Sequence, residues 1–184
     1  PINIVEERTV GPDLGKDSID AGVFSLIIGF ILVIMFMFIK YRIFGLVSNI
    51  SLIANLFMMV GILTMIEATL TLPGIAGIIL TVGMAVDSNV LIYERIKEEL
   101  KTEKSIIHAF DTGYNKAKIT VIDANVTTLI AAAILFIFGS GPVKGFAVTL
   151  GIGIVTTLFS AYFIARHLTS VIVLNDKNGK YFKL

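Results

Sequence analysis

Asp87 is the residue of this sequence that most clearly points to chemistry, because it is the single charge in a long apolar segment. That segment, residues 72–93, reads LPGIAGIILTVGMAVDSNVLIY and is long enough to cross a bilayer, which takes about 20 apolar residues. An ionised carboxylate at the centre of a membrane costs roughly 2.5–3.5 kcal/mol on insertion scales. A structural hydrogen bond to a neighbouring helix is one explanation for such an acid, but we expect Asp87 to bind and release protons.

Two short strings, VDSNV and IDANV, each place an acid and an amide two residues apart. The first holds Asp87 and Asn89, and the second holds Asp123 and Asn125. Asp87 lies about 9 Å from the end of its segment by helical rise, and Asp123 lies near the same membrane face in the next segment. We therefore expect both carboxylates to border one water-filled cavity as a proton relay, which the two amides support by donating to the ionised form. The alternative for Asp123 is an interfacial acid that caps a helix or reaches water.

The composition places the chain in a membrane. Hydrophobic residues make up 55% of the 184 residues and charged residues 16%, whereas soluble domains average about 25% charged residues. Five apolar runs near the length of a spanning helix account for the excess: residues 21–39, 46–66, 72–93, 121–138 and 145–165. We therefore expect an all-α integral membrane protein with five transmembrane helices in a bundle over residues 21–168.

The same composition excludes several other kinds of site. Because the sequence has no cysteine, disulfides and thiolate metal sites are excluded. No metal and no cofactor other than a proton gradient is expected. Nucleic acid is not an expected partner, since no basic cluster with interleaved aromatic residues occurs.

Basic residues predict the orientation of the bundle. Twelve of the 15 lysines and arginines fall in one set of exposed segments, and the other three fall in the opposite set. The positive-inside rule places the richer set in the cytoplasm. Residues 1–20 are then the end of an exported periplasmic domain, and residues 169–184 are a cytoplasmic tail. An odd number of crossings that begins outside also predicts a helix before Pro1.

The longest cytoplasmic connection, residues 94–118, contains a further helical pattern. Ser105 suits an N-cap position. After it, apolar residues recur at helical spacing: Ile106, Ile107, Phe110, Tyr114 and Ala117. Such a pattern is typical of an amphipathic helix on a membrane surface. We therefore expect a cytoplasmic amphipathic helix between the third and fourth crossings.

Small residues recur at helical spacing in two of the apolar segments. Gly145, Thr149, Gly153 and Thr157 repeat every four residues in the last segment, and Gly83 belongs to a mostly small stripe that leads to the intramembrane acid. Helices in membranes associate through close backbone approach. We expect these five residues to pack helices together. The alternative is that the same smooth faces slide past each other during a transport cycle.

Four strings of the sequence resemble signature segments of the SecD family: LTLPGIAGI at 70–78, GMAVDSNVLIYERIKEEL at 83–100, IDANVTTLIAA at 122–132 and GPVKGFAVTLGIGI at 141–154. SecD proteins are membrane subunits of the bacterial SecDF protein-export machinery and are related to the RND superfamily of transporters. The string EERTVGPDLGKDSI near the N-terminus resembles the end of the exported SecD domain. The resemblance thus covers nearly the whole chain, and SecF paralogues differ around the intramembrane acid.

The resemblance implies both a fold and a mechanism. The chain would supply helices 2–6 of an RND-type six-helix half, and a SecF half-transporter would complete the pair about a pseudo-twofold axis. In this family the acid at the position of Asp87 is implicated in inward proton flow, which helps to pull preproteins out of the Sec translocon channel. Asp123 and Asn125 match the IDAN string and take a supporting role. The expected location is the bacterial cytoplasmic (inner) membrane, with lipid, SecF, the channel and preprotein as partners.

Three other functions fit parts of the pattern. Paired membrane aspartates occur in aspartyl proteases, whose carboxylates share a proton. The intramembrane enzymes of this kind carry a GxGD string, which is missing before Asp87 and Asp123. An enzyme is therefore not expected. An RND-type exporter of lipid or small molecules would share the fold but not the LTLPGIAGI and GPVKGF strings. A passive scaffold for the exported domain would keep export intact when Asp87 is replaced by Asn.

Overall fold

The chain folds into helices throughout the residues that the computed structural model describes, 12–102 and 105–175. This confirms the expected all-α class. In chain order the elements are α1 (Pro12–Met65), α2 (Leu72–Glu99), α3 (Ile106–Phe138), α4 (Pro142–Phe159), a π-helical segment (Ser160–Ala165) and α5 (Arg166–Asn175). The last three follow one another without an intervening loop, so they form one long rod.

Four helical stretches are long and apolar enough to cross a membrane: Lys16–Met65, Leu72–Glu99, Ile106–Phe138 and Pro142–Asn175. They differ in how far the bundle covers them. In α2, 56% of the most apolar window is buried, whereas only 17% of the corresponding window of α3 is buried. Since α2 also contacts α1, α3 and α4, it is the central helix, and the outward faces of its neighbours are available to lipid or protein.

α1 is a hairpin of two helical halves. Arg42 interrupts the helical backbone with a φ of 49°, and Nδ2 of Asn49 donates to the carbonyl of Ile34 at 3.2 Å. On a straight helix residues with this separation would lie about 22 Å apart. The two halves, residues 12–41 and 43–65, therefore run back along each other.

Local sequence signals fix the beginnings of α2 and α4. The Thr71 hydroxyl accepts from the backbone N–H of Gly74 at 3.2 Å and so caps α2. Proline stands in the first turn of both helices, where its missing N–H costs nothing. The Thr71 hydroxyl also donates to the carbonyl of Pro142 at 3.3 Å. The two helices consequently begin side by side and run in the same direction.

Glycine and threonine alternate across the contact between α2 and α4. A β-carbon at Gly77 would overlap the Thr149 hydroxyl, and a β-carbon at Gly153 would overlap the side chain of Thr81. Both threonines are buried. Such close approach of two backbones is the main source of helix association in lipid, where the hydrophobic effect contributes little. α4 thus holds α2 in place along its length.

The structure corrects the predicted surface helix. Residues 106–118 form no separate element but are the first turns of α3, because no proline occurs between residues 106 and 138 to interrupt the helix. Most of the apolar face of these turns packs on the protein, although Ile107 is exposed. Phe110 and Tyr114 are buried, and Gly113 lies against the backbone of Ile96 on α2.

The outer boundaries of the bundle also differ from those predicted. α1 begins at Pro12, so that residues 12–20 are its first turns, and their assignment to an exported domain stays a prediction. Residues 169–175, expected in the tail, belong to α5. Both stretches can stay helical because neither has a proline after Pro12, the first residue of α1. The remainder of the two predicted segments lies outside the described residues: 1–11 and 176–184.

Candidate functional site

Asp87 lies in a cleft between α2 and α3. The cleft has a volume of about 220 Å³ and is lined by four residues of each helix: Met84, Asp87, Ser88 and Leu91, with Val121, Ala124, Asn125 and Thr128. Asp87 is exposed in this chain, although it lies midway along an apolar helix. The acid is therefore presented on an open side of the bundle and not in its core.

Asn125 is the polar group that the cleft offers to Asp87. Its side chain is buried, and its Nδ2 donates to the carbonyl of Val121 at 2.8 Å. Its Oδ1 has no hydrogen-bond partner among the described residues. The Ser88 hydroxyl, by contrast, already donates to the carbonyl of Met84 at 2.9 Å. An amide oxygen only accepts, so this atom can bond only to a group that has a hydrogen to donate.

The two acid–amide motifs contribute one residue each to the cleft. A helix turns about 100° per residue, so residues two apart lie on nearly opposite sides. Asn89 is buried in the bundle and does not line the cleft, and Asp123 is exposed on α3 but does not line it either. The expectation of two carboxylates around one cavity is not met. The acid of the first motif instead shares the cleft with Asn125 of the second, and the roles of Asn89 and Asp123 stay predictions.

The side of α2 that carries Asp87 is left uncovered by the described chain. Ala76, Leu80 and Leu91 on the same stripe are exposed, and a β-carbon at Gly83 would meet nothing within 4 Å. Gly83 therefore does not pack α2 against another of the described helices, and its role in helix packing stays a prediction. From Ala76 to Leu91 the stripe is about 22 Å long by helical rise, enough to receive another membrane helix.

The other predicted packing residues lie in close contacts of α4. Gly145, Thr149 and Gly153 face α2 at distances that leave no room for additional atoms. Thr157 is fully buried, and its hydroxyl accepts from Nδ2 of Asn55 on α1 at 3.1 Å. α4 is thus tied to both of its neighbours, and it fixes the position of the helix that carries the acid.

A second cleft, which was not expected from the sequence, adjoins the first on the same side of α2. It has a volume of about 360 Å³ and is lined by charged and apolar residues of α2 and α3: Leu91, Glu94, Arg95 and Glu98, with Lys116, Ala117 and Thr120. Leu91 lines both clefts. The sequence signal for this arrangement is the spacing of Asp87, Leu91, Glu94 and Glu98, which places them on one stripe of a helix.

Ion pairs neutralise most of the acids around the second cleft. Lys116 Nζ lies 2.9 Å from both carboxylate oxygens of Glu99. The Arg95 guanidinium lies 2.6 Å from Glu98 and 3.4 Å from Glu99. Arg95 and Glu98 are well exposed, so their pair contributes little to stability, whereas Glu99 is buried; each of the two carboxylates has a cation beside it.

Glu94 is held in a different way from these acids. Its Oε1 accepts a hydrogen bond from the hydroxyl of Tyr41 at 2.9 Å, and no cation pairs with it among the described residues. Tyr41 is buried next to the turn of α1, and its ring packs against that of Tyr93 with 5.7 Å between the centroids. The hairpin of α1 therefore positions a neutral donor on Glu94.

These features define a multi-pass helical membrane protein with an acid on an uncovered face. The family model described as "Protein export membrane protein SecD/SecF, C-terminal" matches residues 1–175 of the chain. The chain therefore belongs to the SecD/SecF C-terminal family.

Known relatives and a solved structure place the chain on the SecD side of that family. It is 52% identical over 177 residues to the protein translocase subunit SecD of Magnetococcus marinus, covering 96% of this chain and 34% of the relative. The SecD subunit of Rickettsia prowazekii is 54% identical over 183 residues, covering 100% of this chain and 34% of that protein. The chain thus spans about a third of the length of these relatives.

The crystal structure of SecDF from Thermus thermophilus, described as a translocon-associated membrane protein, has the same fold. It superposes with a TM-score of 0.88 at 43% sequence identity, covering 91% of this chain and 24% of that one. The likeness extends to the arrangement of the helices and not only to short motifs.

Proposed function

We propose that the chain is the membrane part of a protein-export complex in the bacterial cytoplasmic membrane, driven by the proton gradient, and that Asp87 carries the protons. The observation that carries the proposal is the position of this acid, exposed on an uncovered face of the central apolar helix. Membership of a protein-export family supports the biological role. Intramembrane acids that face a cavity or a partner typically mark ion and proton pathways, which supports the chemical one.

In this proposal the polypeptide crosses the membrane five times, as helices 2–6 of an RND-type half. The two antiparallel halves of α1 each have enough residues for a crossing, since about 20 suffice, and α2, α3 and the α4–α5 rod supply three more. The N-terminal end is periplasmic and the C-terminal end cytoplasmic, in accordance with the distribution of basic residues.

The uncovered stripe of α2 is the surface that receives the SecF half. An acid in contact with lipid would cost several kcal/mol, and a partner helix along the stripe removes that cost by supplying polar groups and excluding lipid. The stripe, about 22 Å long by helical rise, covers most of the roughly 30 Å of the hydrocarbon core, and Gly83 in its middle leaves room for close approach. The described chain places no lysine or arginine beside Asp87, so the cationic group of the relay comes from the partner.

Asp87 alternates between two protonation states in this mechanism. Its neutral form donates to Oδ1 of Asn125, which has no other partner in the described chain, and its ionised form pairs with SecF. Gain or loss of the proton changes which contact of Asp87 is favourable, the one with Asn125 or the one with SecF. It thereby shifts the SecD and SecF halves relative to each other. The exported domain moves with them and draws preprotein out of the Sec channel. Asp123, outside the cleft, has at most a minor part.

The test uses a full-length SecD that contains this chain, together with SecF, in vesicles and in cells. Asp87→Asn should reduce secretion and proton entry to the level of vesicles without the complex, while the complex still assembles. Asp123→Asn is the matched control and should retain most of both activities. A complex with Asp87→Asn that exports protein normally, with its usual dependence on the proton gradient, would contradict the proposal.

A further inference from the structure

We infer that Glu94 is the cytoplasmic proton acceptor for Asp87, and that the side chain of Leu91 is the barrier between the two carboxylates. The inference rests on the proposed function of Asp87 and adds the route by which its proton leaves. It follows from the two adjoining clefts on one side of α2, which share Leu91 and no other lining residue.

The geometry places the three side chains in a row. Residues 87, 91 and 94 are spaced at i, i+4 and i+7, so they follow one stripe of α2. The two carboxylates are separated by about 10 Å of helical rise, whereas direct proton transfer needs about 2.6–3.2 Å between heavy atoms. A short chain of water must therefore join them, and Leu91 stands where that water would pass.

The contacts of the neighbouring acids single out Glu94 as the acceptor. Glu98 and Glu99 are paired with Arg95 and Lys116, so protonation of either acid would break an ion pair. Glu94 has only a hydrogen bond from a neutral tyrosine in the described chain. It can take up a proton on its second oxygen while Oε1 continues to accept that bond, and the proton then passes to water in the charged cleft.

Leu91 keeps the passage closed until the partner or the helix moves. Its side chain is apolar and lines both clefts, and it offers no group that could carry a proton. A smaller side chain would join the 220 Å³ and 360 Å³ clefts into one water-accessible space. Proton entry would then continue without the conformational change that export requires.

The test measures proton entry into vesicles that contain the full-length complex with SecF, using a pH-sensitive dye inside. Glu94→Gln should reduce the proton flux about 10²-fold, the lower end of the effect of losing a general acid–base group. Glutamine still accepts the hydrogen bond from Tyr41, so this contact is retained. Glu94→Asp should restore part of the flux, because it restores a titratable group.

Two controls separate proton transfer from structure. Tyr41→Phe removes the hydrogen bond but leaves Glu94 ionisable, and Glu98→Gln removes a different carboxylate of the same cleft. Both should keep the flux within about twofold of the unsubstituted complex. An equal loss in Glu94→Gln and Tyr41→Phe would mean that Glu94 has a structural role, and an unchanged flux in Glu94→Gln would also overturn the inference.

Leu91→Ala tests the barrier. We expect a proton leak that persists without preprotein, whereas Leu80→Ala, on the same exposed stripe but beyond Asp87, should produce none. A leak-free Leu91→Ala complex would overturn the role of Leu91. If Asp87→Asn abolishes the flux and Glu94→Gln does not, only this inference fails; if Asp87→Asn has no effect, the proposed function fails with it.

Discussion

The two sides of α2 have similar sequences but opposite environments. On the side that faces α4, Gly77 and Thr81 interlock with Thr149 and Gly153, and no space remains. On the other side, a similar stripe of small and apolar residues is largely exposed, and a β-carbon at Gly83 would meet nothing within 4 Å. Small residues at helical spacing thus identify the faces of a helix that another helix can approach closely. They do not identify which helix packs there, because that depends on the rest of the assembly.

The largest expected difference between the two sides is in stability. Gly153→Ala should lower the free energy of unfolding by about 2 kcal/mol, the usual size of an overpacking penalty, because the new methyl group would overlap Thr81. Gly83→Ala is the matched control. It should leave stability unchanged or slightly raise it, since alanine favours a helix over glycine and the site is open. Unfolding in mixed detergent micelles measures both variants.

Equal destabilisation by the two alanines would contradict the distinction between a closed and an open side. So would a Gly153→Ala protein that unfolds at the same detergent composition as the unsubstituted protein.

A second difference concerns assembly with the partner. Gly83→Leu should weaken co-purification with SecF by at least about tenfold, or roughly 1.4 kcal/mol, because the side chain would occupy the stripe that we propose as the binding surface for SecF. The isolated protein should fold normally, since nothing lies within 4 Å of the added β-carbon. Normal recovery of SecF with this variant would show that the partner binds elsewhere.

The smallest expected difference is in proton flux, between variants of the amides Asn125 and Asn89. Asn125→Leu should reduce proton flux about tenfold, equivalent to 1.4 kcal/mol of barrier, because the acceptor beside Asp87 is lost. Asn89→Leu should leave the flux unchanged, since Asn89 does not line the cleft. Vesicle flux measurements on both variants test this ranking, and a larger effect of Asn89→Leu would reverse it.

Much of this fold is predictable because apolar runs and helix signals are local. The acid in the 72–93 segment and the proline-led beginning of α2 are both evident in the sequence. Residues 106–118 were misread because an amphipathic pattern does not reveal whether its apolar face meets lipid or protein. The structure buries Phe110 and Tyr114 within the bundle.

The arrangement of the site was only partly predictable. Asp87 and Asn125 can be selected from the two motifs, but the sequence predicts that both carboxylates, Asp87 and Asp123, border one cavity. Helical rotation separates residues two apart, and this brings the acid of one motif to the amide of the other. The roles of Glu94 and Tyr41 depend on the fold-back of α1 at Arg42, which no local pattern specifies.

The most direct test of the central claim is the proton flux through vesicles that contain the complete complex with Asp87→Asn, compared with the unsubstituted complex at the same imposed gradient. The account predicts that the flux falls to that of empty vesicles although SecF remains bound. A flux equal to that of the unsubstituted complex would contradict it.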